Sequence, residues 1–248
     1  MPTLTDLQLL TLPGGSPGLT GVLGLPDGEG PWPGVVMVHE AFGLTPVMRR
    51  QVERMASAGF AVLMPDLFVQ GGPRKCLRST FRDIARGEGR AFTDVESARR
   101  ALVNRDDCTG RVGVLGFCMG GGFALMAVKN HGFSAASANY GRLPKQLDEQ
   151  LTGACPVVGS YGGRDLSLRG AAAKLDAALV RAGVPHDVKE YPTAGHAFLD
   201  DEAPSVNPVL DLVLQQVLHA TPDPEASADA WRRIDGFFTE HLALELDD

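Results

Sequence analysis

The sequence has no apolar run approaching the roughly 18 residues that a membrane-spanning helix needs, so no membrane association is expected. It also lacks a basic surplus: 23 Lys and Arg stand against 30 Asp and Glu, a formal net charge of −7. A mildly acidic surface argues against binding to nucleic acid, because phosphate-backbone binding needs clustered cations. The opening residues, MPTLTDLQLL, hold neither a basic stretch nor a long apolar one, so no secretory leader is expected and a cytoplasmic location is. Cysteine is scarce. Cys76, Cys108, Cys118 and Cys155 form no CxxC pair and no Cys/His cluster at zinc-ligand spacing, so no metal is expected. In a cytosolic chain all four should be reduced. Cys76, Cys108 and Cys155 read as small buried apolar residues.

With 248 residues and 44% hydrophobic content, there is enough apolar material for one large α/β domain. No internal repeat, low-complexity tract or composition shift divides it, so residues 1–248 read as one domain. Strand-like runs are expected at 5–10, 18–25, 35–39, 60–64, 111–115, 134–140, 155–161 and 186–191. Val35-Val36-Met37-Val38 is apolar throughout, as a strand covered on both faces would be. Helices are expected from Thr45-Pro46 to Ser57, from the capping-box spacing Thr93–Glu96 to Asn104, after Cys118 to Asn130, and over 167–182, 207–219 and 226–243. In the last of these, Trp231, Ile234, Phe237 and Phe238 recur at helical spacing and read as core packing. Residues 67–90 are rich in Gly and Arg with little periodicity and read as a loop with a short helix at most. Repeated βα units imply a mostly parallel sheet with helices on both faces. Ligands on such sheets sit beyond the carboxyl ends of the strands, which directs attention to Glu40, Asp66, Cys118, Asp165 and His196.

One of these ends is Val112 to Leu125, VGVLGFCMGGGFAL. Gly116-Phe117-Cys118-Met119-Gly120 has the form G-x-nucleophile-x-G between a strand and a helix. Such a turn is so sharp that the residues two places either side of its apex must be small. It lifts the thiol above the sheet at a helix N-terminus, where the dipole favours a thiolate. The N–H of Met119 then becomes a candidate oxyanion donor. Alone, the motif reads equally as a glycine-rich turn with cysteine as filler. Two later strands end in partners: Val157–Tyr161 leads to Asp165, and Val188–Tyr191 leads to His196. By itself Asp165 is as readily the cap of the next helix, and His196 a loop histidine. Together they follow Cys118 in the order nucleophile, acid, base that an α/β-hydrolase requires. His131, His186, His219 and His241 lack this context and read as surface or packing residues.

The residues resemble the dienelactone hydrolase family, α/β-hydrolases whose elbow carries cysteine. The resemblance runs through VVMVHEAFGL (35–44), GFAVLMPDLF (59–68), VGVLGFCMGG (112–121), ANYGRLP (138–144), GGRD (162–165) and GHAF (195–198). The pairing of His39-Glu40 with GFCMGG is far more specific than an elbow alone. It implies Cys118 as nucleophile, His196 as general base and Asp165 as its orienter. Glu40 would contact the resting thiol and help activate it, and Ala41 N–H would join Met119 N–H as the second oxyanion donor. It also implies a small lactone or ester as substrate, no metal and no organic cofactor. For substrate contact it suggests Phe42, Phe198 and an arginine among Arg74, Arg78 and Arg82. The best-known members carry a second arginine four residues past the histidine; here that residue is Asp200, which would repel a carboxylate.

Two other readings stand beside a cysteine-dependent hydrolase: a broader carboxylesterase, thioesterase or peptidase on the same fold, and a hydrolase fold serving as a small-molecule sensor. The stretch 67–90 is too short for a lid domain, which disfavours long lipids and large peptides. Nothing in the sequence demands assembly, so a monomer or weak homodimer is expected.

Overall fold

The computed structural model describes residues 1–202 and 218–243. One eight-stranded sheet organises them, in the order β1-β2-β4-β3-β5-β6-β7-β8. Its strands are β1 (Thr3–Gln8), β2 (Thr20–Leu25), β3 (Trp32–Val38), β4 (Ala61–Pro65), β5 (Cys108–Phe117), β6 (Ala136–Asn139), β7 (Val157–Gly162) and β8 (His186–Tyr191). The pairs β1–β2 and β2–β4 are antiparallel, and every pair from β4 to β8 across the sheet is parallel. This is the mostly parallel α/β architecture that the alternating pattern implies.

Side-chain alternation divides the core between the two faces. Val36 and Val38 of β3 and Val112 and Val114 of β5 point to one side. There they meet α3 (Arg90–Val103), α4 (Met119–Ala127) and α6 (Ala171–Ala182), with α2 (Pro73–Arg86) and the short α5 (Leu147–Leu151) alongside. Val35, Met37, Leu115 and Phe117 point the other way, toward α1 (Pro46–Ser57) and α7 (Pro224–Leu242). Trp231, Ile234, Phe237 and Phe238 of α7 are buried in that second cluster, so their helical spacing is core packing. Each fully buried aliphatic side chain contributes about 1.5–3 kcal/mol relative to exposure.

Local signals place some boundaries well. Thr45 accepts from Met48 N–H at 3.3 Å and caps α1, with Pro46 in its first turn. Others mislead. Residues 67–90, expected as mostly loop, contain the 14-residue α2. Cys76 and Thr80 are buried and Leu77 and Ile84 pack at the edge of the core, so α2 is amphipathic, but two of its four inward residues are not apolar markers in the sequence. Thr93–Glu96 is not a capping box, because α3 begins a turn earlier, after Gly89. Asp83 at the end of α2 accepts from Ala91 N–H at 3.1 Å, and Glu96 turns outward to Arg99 and Arg100. The helix expected over 167–182 is split into a 3-10 turn, Leu166–Leu168, and α6, with left-handed Gly170 between them. Most of the helix expected over 207–219 lies outside the described residues.

Candidate active site

The carboxyl ends of β3, β5, β7 and β8 carry the groups that the sequence singles out. Between β5 and α4, Cys118 holds φ 52° and ψ −110°, a left-handed conformation that costs a non-glycine residue about 1–3 kcal/mol. The surroundings over-determine it. A Cβ on Gly116 would fall inside the Gly120 carbonyl, and one on Gly120 would fall on the Val38 carbonyl. The adjacent strand pins the bend twice: Cys118 N–H donates to Asn139 O at 3.0 Å, and Asn139 Nδ2 donates to Gly116 O at 3.2 Å. The thiol therefore stands at the first turn of α4 with part of its surface open.

His196 follows β8, its N–H donating to Leu218 O at 2.8 Å. Its Nδ1 donates to Asp165 Oδ2 at 2.6 Å. The other oxygen of Asp165 accepts from Ser167 N at 3.0 Å and from Ser167 Oγ at 2.6 Å. The two readings of Asp165 are thus both true, one per oxygen: it caps the 3-10 turn and it holds the imidazole. Burial opposes ionisation of Asp165, but bonds from His196 and Ser167 outweigh it and hold the carboxyl below its usual range. Burial likewise opposes the imidazolium of His196, yet Asp165 and Cys118 together raise its pKa to about 10. The sulfur acts on the ring from outside strict hydrogen-bond geometry, because Nε2 is buried and makes no hydrogen bond with any described residue.

Two further acids lie close by. Glu40 and Asp200 are buried at 5% and 3% exposure, and neither pairs with a Lys or Arg among the described residues. Burial pushes the Glu40 carboxyl up to about 7, against the pull of the His196 charge. Burial, with Glu40 and Asp201 as like charges, pushes Asp200 up to about 8. Tyr140 donates its OH to Asp200 Oδ1 at 3.5 Å; burial and the surrounding negative groups raise that phenol well above its ordinary value. From α1, Gln51 Nε2 donates to Leu199 O at 3.0 Å and Arg50 pairs with Asp201, which holds the segment after His196 in place.

The expected oxyanion donors, Met119 N–H and Ala41 N–H, donate to no described protein acceptor. The expected substrate contacts fare differently. Arg74, Arg78 and Arg82 are exposed on α2 and bond to no residue of the site, because the helix turns Cys76 and Thr80 inward instead. Phe198 does not face a substrate either: it is fully buried, packed against Tyr140 and Tyr191 with ring centroids 5.7 and 5.1 Å away. Phe42 is half-buried in the turn after Glu40. Sequence reasoning assigned no role to His39, Asn139 or Tyr140. Their motifs were in view, but the bonds they make join segments distant in the chain. Among the described residues no group of His, Cys, Asp and Glu is arranged to hold a metal ion, and no helix is long and apolar enough to cross a membrane.

Residues 19–242 match the model of the dienelactone hydrolase family. A Yersinia pestis protein that carries a carboxymethylenebutenolidase name is 30% identical, the match covering 93% of this chain and 87% of that protein. The carboxymethylenebutenolidase of Rhodococcus opacus is 27% identical over 85% of this chain and 82% of its own. In the fold alone, the crystal structure of dienelactone hydrolase from Anabaena variabilis superposes with a TM-score of 0.69 at 22% identity, covering 98% of this chain and 99% of that one.

Proposed function

The chain belongs to the dienelactone hydrolase family, and from that premise we propose that it hydrolyses a small lactone or carboxylic ester through a thioester on Cys118. The reading is carried by one observation. His196 presents a buried, unbonded Nε2 on the Cys118 side while Asp165 holds the opposite nitrogen. With its pKa raised to about 10, the His196 imidazole already holds the thiol's proton while sulfur attacks the acyl carbon. Met119 N–H and Ala41 N–H receive the oxyanion of the tetrahedral intermediate. Its collapse breaks the C–O bond, and the departing alkoxide takes the proton from the imidazolium. Water then gives a proton to His196 and attacks the thioester, and collapse returns the thiolate with release of the acid. A Glu40 carboxyl that burial raises to about 7, within reach of the His196 charge, supports a part for it in proton exchange at neutral pH.

The substrate is small. Small size is supported by the chain between β4 and β5, which is spent on α2 and α3 packed on the fold and forms no lid domain among the described residues. Glu40 and Asp200 have no Lys or Arg paired with them among the described residues, so no arginine or lysine is fixed at that spot to hold a substrate carboxylate.

Iodoacetamide and p-nitrophenyl acetate test the proposal together. Cys118 should alkylate far faster than the other thiols: Cys76 is buried, burial pushes Cys155 up to about 12, and burial raises Cys108 too. Alkylation, or Cys118→Ala, should abolish turnover. Rapid alkylation of a protein that turns over neither this ester nor lactones would favour a sensor. Undiminished hydrolysis by Cys118→Ala would overturn the proposed nucleophile.

A further inference from the structure

His39 is a fully buried imidazole at the end of β3 that takes no part in the proton transfers above. Its two nitrogens join two loops. Leu67 N–H, just past β4, donates to Nε2 at 3.2 Å. An N–H can only donate, so Nε2 must offer a lone pair and the ring proton must sit on Nδ1. Burial lowers the His39 pKa against the opposing influence of the Glu40 carbonyl and the Asp66 charge, which keeps the ring neutral. Nδ1–H then donates to Glu40 O at 2.7 Å, and the edge-on ring of Phe68, 4.7 Å away, restricts the imidazole's rotation.

That carbonyl shares a peptide plane with Ala41 N–H. In a trans peptide the C=O and N–H point in opposite directions, so whatever grips the oxygen aims the hydrogen. Gly43 N–H also reaches Glu40 O, at 3.2 Å, which makes 40–43 a turn; the shorter grip is the imidazole's. Ala41 N–H itself is left without a described protein acceptor.

We propose that His39 is a positioning residue: by holding the Glu40 carbonyl, and by being held in turn by the backbone after β4, it aims the Ala41 N–H at the oxyanion. The inference rests on the hydrolytic reading. An oxyanion exists only in the transition state and the tetrahedral intermediate, so a mis-aimed donor lowers kcat and spares KM. The Gly43 bond and the Met119 donor survive loss of the imidazole. The expected fall in kcat is therefore about 10- to 100-fold, less than complete removal of a donor can produce.

His39→Leu and His39→Gln test the idea. Leucine supplies neither bond, whereas the glutamine amide can donate to Glu40 O and accept from Leu67 N–H. With p-nitrophenyl acetate, His39→Leu should lose kcat as stated with KM little changed, and His39→Gln should recover most of it. Alkylation of Cys118 by iodoacetamide forms a C–S bond and expels iodide without an oxyanion, so its rate should be the same in all three proteins. Unchanged kcat in His39→Leu, or alkylation falling in step with kcat, would overturn the proposal. Should His39→Leu not fold, nitrogen-15 NMR of the wild-type histidines decides. His39 should hold the neutral Nδ1–H form at neutral pH, and an Nε2–H or doubly protonated ring there would refute it. If Cys118→Ala stays active, the hydrolytic reading itself has failed; if it is inactive while His39→Leu is normal, only this inference has.

Discussion

Replacing Asp165 by asparagine keeps the shape of the side chain and removes one acceptor oxygen. The structure decides which of its bonds goes. Oδ1 receives Ser167 N and Ser167 Oγ at 3.0 and 2.6 Å, and Oδ2 receives His196 Nδ1 at 2.6 Å. If the amide oxygen of the introduced asparagine turned to His196, its NH2 would confront Ser167 N–H. The Ser167 hydroxyl could rotate to accept, but the backbone N–H could not, and a buried unpaired donor costs about 1–3 kcal/mol. The oxygen therefore stays on Ser167, and the NH2 faces Nδ1. The imidazole must then accept at Nδ1 and carry its proton on Nε2, the nitrogen that should take the thiol proton. This wrong tautomer should lower kcat/KM on p-nitrophenyl acetate by about 10³-fold or more, a loss of about 4 kcal/mol. The anionic partner that helps lift His196 to about 10 disappears as well, so iodoacetamide labelling of Cys118 at pH 6–7 should slow. Thermal unfolding should first show that the variant is folded. A folded Asp165→Asn enzyme retaining kcat/KM within tenfold of wild type would refute the reasoning.

Two other outcomes are expected. Gly116→Ala forces a Cβ into the Gly120 carbonyl, whereas Gly122→Ala meets nothing closer than Arg142 O at 3.3 Å. Overpacking against backbone should cost about 3 kcal/mol and lower Tm by about 6–12 °C in Gly116→Ala. Calorimetry should find Gly122→Ala close to wild type, and equal tolerance of both would mean the bend is not tight. The folded pKa of Asp200, about 8, lies above the 3.8 of the unfolded chain, so between those values the folded state binds more protons. This residue's contribution to stability therefore falls as pH rises through that window. Asp200→Asn cannot ionise, and in urea titrations it should gain on wild type by at least about 1 kcal/mol between pH 5 and 9. A gap that stays constant with pH would show that Asp200 is an ordinary carboxylate.

The legibility of the site was uneven. Gly116, Cys118 and Gly120 declare an elbow because its steric demand is met by residues two places apart. Val35 to Val38 declares a central strand because alternation and continuous apolarity are local. The order of Cys118, Asp165 and His196 was readable because each lies within about five residues of the end of a strand. Helix α2 was obscured because its inward side is made of Cys76, Leu77, Thr80 and Ile84, two of which do not stand out as apolar among the surrounding arginines and glycines. The false capping box at Thr93 arose because Asp83, ten residues earlier, had already taken the task. Phe198 stood in the right motif and faced the wrong way, which only packing against Tyr140 and Tyr191 decides.

By itself the sequence determined the alternating βα architecture, the sharp glycine-flanked turn at Cys118 and the positions of Asp165 and His196 just past later strands, each of which is read within one short segment of the chain. Tertiary structure alone decided what surrounds them. It set Asn139 behind the elbow, joined His39 to Leu67, left the three arginines of α2 in solvent and buried Asp200 near Glu40. The reason is physical. A hydrogen bond or charge coupling between residues dozens to more than a hundred positions apart leaves no trace in local composition, and exists only once the sheet has brought its strand ends together.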